Sequence, residues 1–162
     1  MIKAISNTSP LLYLHRINKL ELLPKTFSKI WTTNAVISEL EEGKKRGYDV
    51  PVPEKYDWLK INDPVFTPSE WFALDLGAGE IATMALALEN TDFIVILDDA
   101  LARKTAQAAG LNVWGTLKIL IESKKKGNIE RIKPLLQELQ NAGMWLSQSI
   151  IERILFLCGE NR

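Results

Sequence analysis

Phe93-Ile94-Val95-Ile96-Leu97-Asp98-Asp99 is the stretch that decides the fold. Five apolar residues in a row, mostly β-branched or aromatic, suit a strand covered on both faces. Two carboxylates follow at once. A carboxylate at the end of a buried strand must be solvated, paired or metal-bound, because burying it alone is costly. Asp99 also suits the N-cap of a following helix, which does not exclude a metal role.

Working outward, the pattern predicts a helix to about Ala109, a short strand over Leu111 to Trp114, and a helix over Thr116 to Lys126. Upstream, Gly77 to Leu88 is apolar nearly all round, which predicts a largely buried helix opened by Asp75 or Gly77 and running to Glu89. Nearer the N-terminus, Ile2 to Ser6 and Phe27 to Trp31 read as strands. Leu11 to Leu23 has helical spacing broken near Asn18. Thr32-Thr33-Asn34 offers N-caps for a helix closed by Gly43. Residues 44 to 56 read as a loop and Trp58 to Asn62 as a short strand, while Ile129 to Gly143 and Ser147 to Leu157 read as two last helices. Strands alternating with helices predict an α/β fold with a mainly parallel sheet, whose functional groups gather at the carboxyl ends of its strands.

Composition narrows the classes. At 162 residues the chain fits one domain with a substantial core. Its single cysteine, Cys158, excludes a disulfide framework within the chain and points to the cytoplasm. The opening residues turn polar too soon for a signal peptide, and no apolar run approaches the roughly 18 residues of a membrane span. Formal charge is zero, so no general field draws the chain onto nucleic acid. Lys124-Lys125-Lys126 reads as a solvated helix end.

Four acids stand out from those on polar helix faces. Asp98 and Asp99 end the buried strand, and Glu80 lies in the first turn of an apolar helix, where the helix dipole tolerates negative charge. Glu39 stands beside the apolar stripe of its helix, where exposure and function are both open. Carboxylates with no matched cation repel one another, and a divalent cation relieves that repulsion. Oxygen-only donors favour Mg²⁺ or Mn²⁺ over zinc. With His15 the only histidine, neither a histidine zinc site nor a Ser-His-Asp triad is expected.

Taken in order, Ser6-Asn7-Thr8-Ser9-Pro10-Leu11, Val36-Ile37-Ser38-Glu39-Leu40, Leu76-Gly77-Ala78-Gly79-Glu80-Ile81-Ala82, Ile96-Leu97-Asp98-Asp99-Ala100-Leu101-Ala102-Arg103 and Gly110-Leu111-Asn112-Val113-Trp114-Gly115-Thr116-Leu117 resemble the PIN-domain family. The likeness is to its compact bacterial and archaeal branch, which often includes toxins of toxin–antitoxin pairs. It implies a three-layer α/β/α sandwich over residues 1–127, with residues 128–162 as C-terminal helices on the same domain. It also implies a Mg²⁺- or Mn²⁺-dependent endoribonuclease acting on RNA. The family's acidic positions fall on Asn7, Glu39, Glu80 and Asp98 as metal-holding residues, with Glu39, Glu80, Asp98 and the helper Asp99 as the catalytic set. Thr8 and Ser9 would line the site; Thr116 would either reach it or cap its helix. A small antitoxin partner and a homodimer are further implications.

One departure matters. Asn7 stands where the family pattern has Asp. An amide oxygen can ligate Mg²⁺ but carries no charge. Three accounts fit the residues equally: a natural non-cutting relative, a chain disarmed because its active form harmed the host, or an amide tolerated while the other acids compensate. The leading expectation is a ribonuclease. The alternative is a non-catalytic module binding RNA or a small protein, with Met144-Trp145-Leu146 and Ile150-Ile151 as either interface or core. A phosphate-receiver domain is disfavoured, because receivers carry such an acid pair after their first strand.

Overall fold

A computed structural model describes residues 1–161. Its centre is a five-stranded, wholly parallel sheet in the order β3-β2-β1-β4-β5. The strands are β1 (Ile2–Ser6), β2 (Phe27–Thr32), β3 (Leu59–Ile61), β4 (Phe93–Ile96) and β5 (Val113–Trp114). Helices cover both faces, so the architecture is the α/β/α sandwich.

β4 is buried at every residue, as its composition predicts. Ile94 and Ile96 face one core; Phe93, Val95 and Leu97 face the other. The first core holds apolar residues of α1 (Thr8–Arg16), α2 (Leu22–Thr26), α3 (Asn34–Lys45) and α6 (Thr116–Lys125). The last two helices, α7 (Lys133–Asn141) and α8 (Gln148–Leu157), add Leu135, Leu136, Leu139 and Ile154 to that core. The second core holds α4 (Ala78–Leu88) and α5 (Ala100–Ala108), whose Met84, Ala85, Ala102 and Ala106 lie against the sheet. Burying one Leu or Ile side chain contributes roughly 1.5–3 kcal/mol, so these two layers dominate the stability.

Strand order positions the site. β1 pairs with β2 on one side and β4 on the other. The chain therefore leaves β1 in one direction, then returns to the far side at β4. The carboxyl ends of β1 and β4 are the switch point at which such sheets open a crevice. Asn7 follows β1, and Asp98 follows β4 by two residues.

Several local expectations need correction. Helix α3 runs past Gly43 to Lys45. Gly43 lies within the helix close to Val50, and Gly47 adopts the left-handed turn (φ 87°) that closes the helix. The break at Asn18 is real: at φ 58° it ends α1, with Lys19 N–H donating to Leu14 O at 2.8 Å. Helix α7 starts at Lys133 rather than Ile129, and Gly115, not Thr116, is the N-cap of α6. Residues 69–73 form a 3₁₀ turn that buries Trp71 in the second core. At the C-terminal end Leu146 is buried and Met144 and Ile151 pack on the first core, whereas Trp145 is 81% exposed. No helix among the described residues is long and apolar enough to cross a membrane.

Candidate metal centre

Asn7 sits at the switch point with its N–H bonded to Ile96 O at 3.1 Å, which ties the end of β1 to the end of β4. Its side chain is buried, and its Oδ1 has no hydrogen-bond partner. Leaving a buried carbonyl oxygen unpaired costs about 1–3 kcal/mol, so the atom calls for an explanation.

Glu39 comes from α3 to the same glycine, Gly79, that Asn7 Oδ1 lies beside. The Gly79 N–H donates to Glu39 Oε2 at 3.1 Å, and the Thr8 hydroxyl donates to Glu39 Oε1. Gly79 is the hinge of the arrangement. A Cβ at this position would collide with Glu39 Oε1 and lie 3.0 Å from Asn7 Oδ1. Without a Cβ, the first turn of α4 approaches both side chains where they stand while offering its N–H.

Glu80 follows on the same turn. Its Oε1 accepts from Gly77 N–H at 2.9 Å, a one-sided capping interaction because glycine has no side chain to answer it. Burial raises the Glu80 pKa against the opposing pull of that hydrogen bond, and the nearby charges of Asp99, Glu39 and Asp75 raise it further. Glu39 and Glu80 both approach the same point beside Gly77.

Asp98 completes the crevice from the other strand. Thr116 holds it twice: N–H to Oδ1 at 2.8 Å and hydroxyl to Oδ2 at 2.7 Å. Burial pushes the Asp98 pKa up, although both Thr116 bonds and the charge of Arg103 oppose the shift. Arg103 donates to Leu97 O at 2.9 Å, bracing the strand end that carries Asp98. Asp99 is exposed and caps α5, accepting from Ala102 N–H at 3.0 Å.

The structure thus brings Asn7, Glu39, Glu80 and Asp98 to one end of the sheet, with Thr8 and Thr116 bonded to two of the acids. Asp99 stands near enough to Glu80 to repel it. Ser9 is half-buried in the first turn of α1 and makes no side-chain hydrogen bond among the described residues. No three Asp, Glu, His or Cys side chains among the described residues converge tightly enough to share one ion as they stand. The donor set nonetheless suits a hard cation. It offers an unpartnered amide oxygen and carboxylates with no Lys, Arg or His ion pair among the described residues.

Three residues at the site escape a reading of the sequence. Gly79 stands in the Leu76–Ala82 motif, but with no role at the site assigned to it. Arg103 carries a faint signal as a cation one turn beyond the acid pair. Tyr13 carries none, yet burial and then the charge of Asp98 raise its pKa, which places it at the crevice edge.

A family model described as DUF3368: PIN domain matches residues 3–160. The chain belongs to the PIN-domain family. PIN domains have a nuclease fold, generally use divalent metal ions and generally bind RNA. Among solved structures, a PilT N-terminus domain protein from the hyperthermophilic archaeon Sulfolobus solfataricus P2 superposes with a TM-score of 0.57 at 18% identity. The match covers 75% of this chain and 93% of that one, and at such identity it speaks for the fold alone. No curated protein matches the chain.

Proposed function

We propose that this PIN domain is a Mg²⁺- or Mn²⁺-dependent endoribonuclease, with activity reduced by the amide at position 7. The observation that carries the reading is Asn7 Oδ1, buried and unpartnered beside Glu39 and Gly79. Asn7, Glu39, Glu80 and Asp98 would hold the cation. When bound, it supplies positive charge against the scissile phosphate and lowers the pKa of an attacking water. The protein's part is positioning. Thr8 and Gly79 orient Glu39, Thr116 orients Asp98, and Asp99 would fix a ligand or an ordered water. Ser9 would face substrate from the first turn of α1.

Incubation of the pure protein and its Asn7→Asp variant with single-stranded RNA and Mn²⁺ tests this reading. Cleavage by both, faster in the variant, is expected. Folded protein that cuts RNA in neither form rules it out.

The same amide favours a second reading, a PIN scaffold that binds RNA or a small protein without cutting. RNA binding unchanged by chelation, with no cleavage after Asn7→Asp, would select it. We also propose a toxin-like role in the cytoplasm, with a small antitoxin and a homodimer. Trp145, Phe156 and Leu157 supply exposed apolar surface for such contacts. Light scattering on the protein alone tests the dimer.

A further inference from the structure

Two helices, α4 and α5, lie on the second face of the sheet, against β1, β4 and β5. On β2 and β3, Lys29 and Lys60 stay exposed, while Trp31 packs at the edge of the second core. Side chains alternate along a strand, so Ile30 and Leu59 turn to the first core. Lys29, Trp31 and Lys60 therefore turn the other way, and Trp31 is directly opposite Lys60 on the neighbouring strand. A depression of about 350 Å³ adjoins them, lined by Ser28, Lys29, Trp31 and Lys60 together with Ile30 and Trp58, which belong to the first core.

Its charge is mainly basic, with Asp92 the acid beside it. Lys29 pairs across the strands with Lys3, and Lys3 is already engaged by Asp92. Lys29 and Lys60 are exposed and neither forms an ion pair among the described residues, although Lys29 lies near enough to Asp92 to help lower its pKa. Like charges gathered on one sheet face destabilise it unless something neutralises them. Between them the half-buried Trp31 indole is held by Phe93, with ring centroids 4.2 Å apart. A fixed aromatic plate flanked by exposed ammonium groups has the chemistry that single-stranded nucleic acid requires: bases stack on the ring and phosphates meet the lysines. The position is also apt. Trp31 is in register with Ile5, two residues before Asn7, about 7 Å along the strand from the acid-bearing end.

We propose that Lys29, Trp31 and Lys60 form a platform for the single-stranded flank of an RNA whose scissile phosphate lies at the Asn7–Asp98 end. The proposal rests on the ribonuclease reading for the second half of that statement. The test uses the full chain and the double variant Lys29→Glu/Lys60→Glu, whose side chains are exposed and outside both cores. Fluorescence anisotropy with chelator present follows binding of a labelled single-stranded RNA of about 12 nucleotides over a range of salt. Cleavage of a trinucleotide with Mn²⁺ follows the acid site alone.

The double variant should bind the longer RNA about tenfold or more weakly, and the slope of log affinity against log salt should shrink by about 1.4. Trinucleotide cleavage should not change. Unchanged affinity and slope would overturn the proposal, as would failure of the unaltered chain to bind the longer RNA. So would a change in oligomeric state with RNA affinity intact, which would give this face to a second copy of the chain. If no form cleaves the trinucleotide but the lysines still govern binding, the ribonuclease reading falls and the platform stands.

Discussion

Two carboxylate sites in this molecule are built in opposite ways. Glu160, with only 9% of its side chain exposed, accepts from Lys124 at 2.8 Å and from the N–H groups of Ile132 and Lys133 at the start of α7. Burial alone would raise its pKa, but these donors outweigh burial and hold it below the ordinary value. At the switch point the balance is reversed: burial is the largest influence on Glu80 and Asp98, and both pKa values are raised. One site contains its own cations and staples the C-terminus to α6 and α7. The other gathers acids beside an unpartnered oxygen, with no Lys, Arg or His ion pair among the described residues. The same residue type is structural where its charge is met within the chain, and available for chemistry where it is not.

The contrast is broken most severely at Gly79. A methyl group there collides with Glu39, so Gly79→Ala should lower Mn²⁺-dependent cleavage about a hundredfold while circular dichroism stays unchanged. Thr116→Val is milder. It removes the hydroxyl bonded to Asp98 Oδ2 and keeps the backbone N–H bond and the side-chain volume. Mn²⁺ affinity by calorimetry should fall about tenfold.

Glu160→Gln probes the other member of the pair. It should cost about 1–2 kcal/mol of stability, seen as a melting temperature lower by about 2–8 °C, with Mn²⁺ affinity untouched. A fall in Mn²⁺ affinity would erase the distinction between the two sites. The smallest effect is on pH dependence. The folded pKa of Glu160 lies below its ordinary value of 4.5. Its contribution is therefore complete above about pH 5 and is lost as pH falls through the lower folded value. Denaturant titrations should show the gap between the parent and Glu160→Gln closing over that acid range.

The sequence makes the fold legible where burial leaves a compositional mark. β4 is apolar throughout because both its faces are covered, and α4 is apolar nearly all round for a similar reason. The Asp pair after β4 then points to the carboxyl end of the sheet. What stays hidden depends on distance between elements. Nothing local to Gly79 says that α3 passes close enough for its Cβ to be forbidden. Nothing local to Asn7 says that its oxygen goes unpaired. Trp71 escapes because its short 3₁₀ turn follows Pro64 and Pro68 and is too brief to set up a period. The helix end at Gly43 misleads because two glycines were available, and it is Gly47 that takes the left-handed conformation.

Anomalous diffraction at the manganese edge, from crystals of this chain soaked in Mn²⁺, addresses the metal assignment directly. A peak is expected at the carboxyl ends of β1 and β4, within coordinating distance of Asn7 Oδ1 and at least one of Glu39, Glu80 and Asp98. Saturating Mn²⁺ that leaves this crevice without a peak, or that settles only elsewhere, would contradict it.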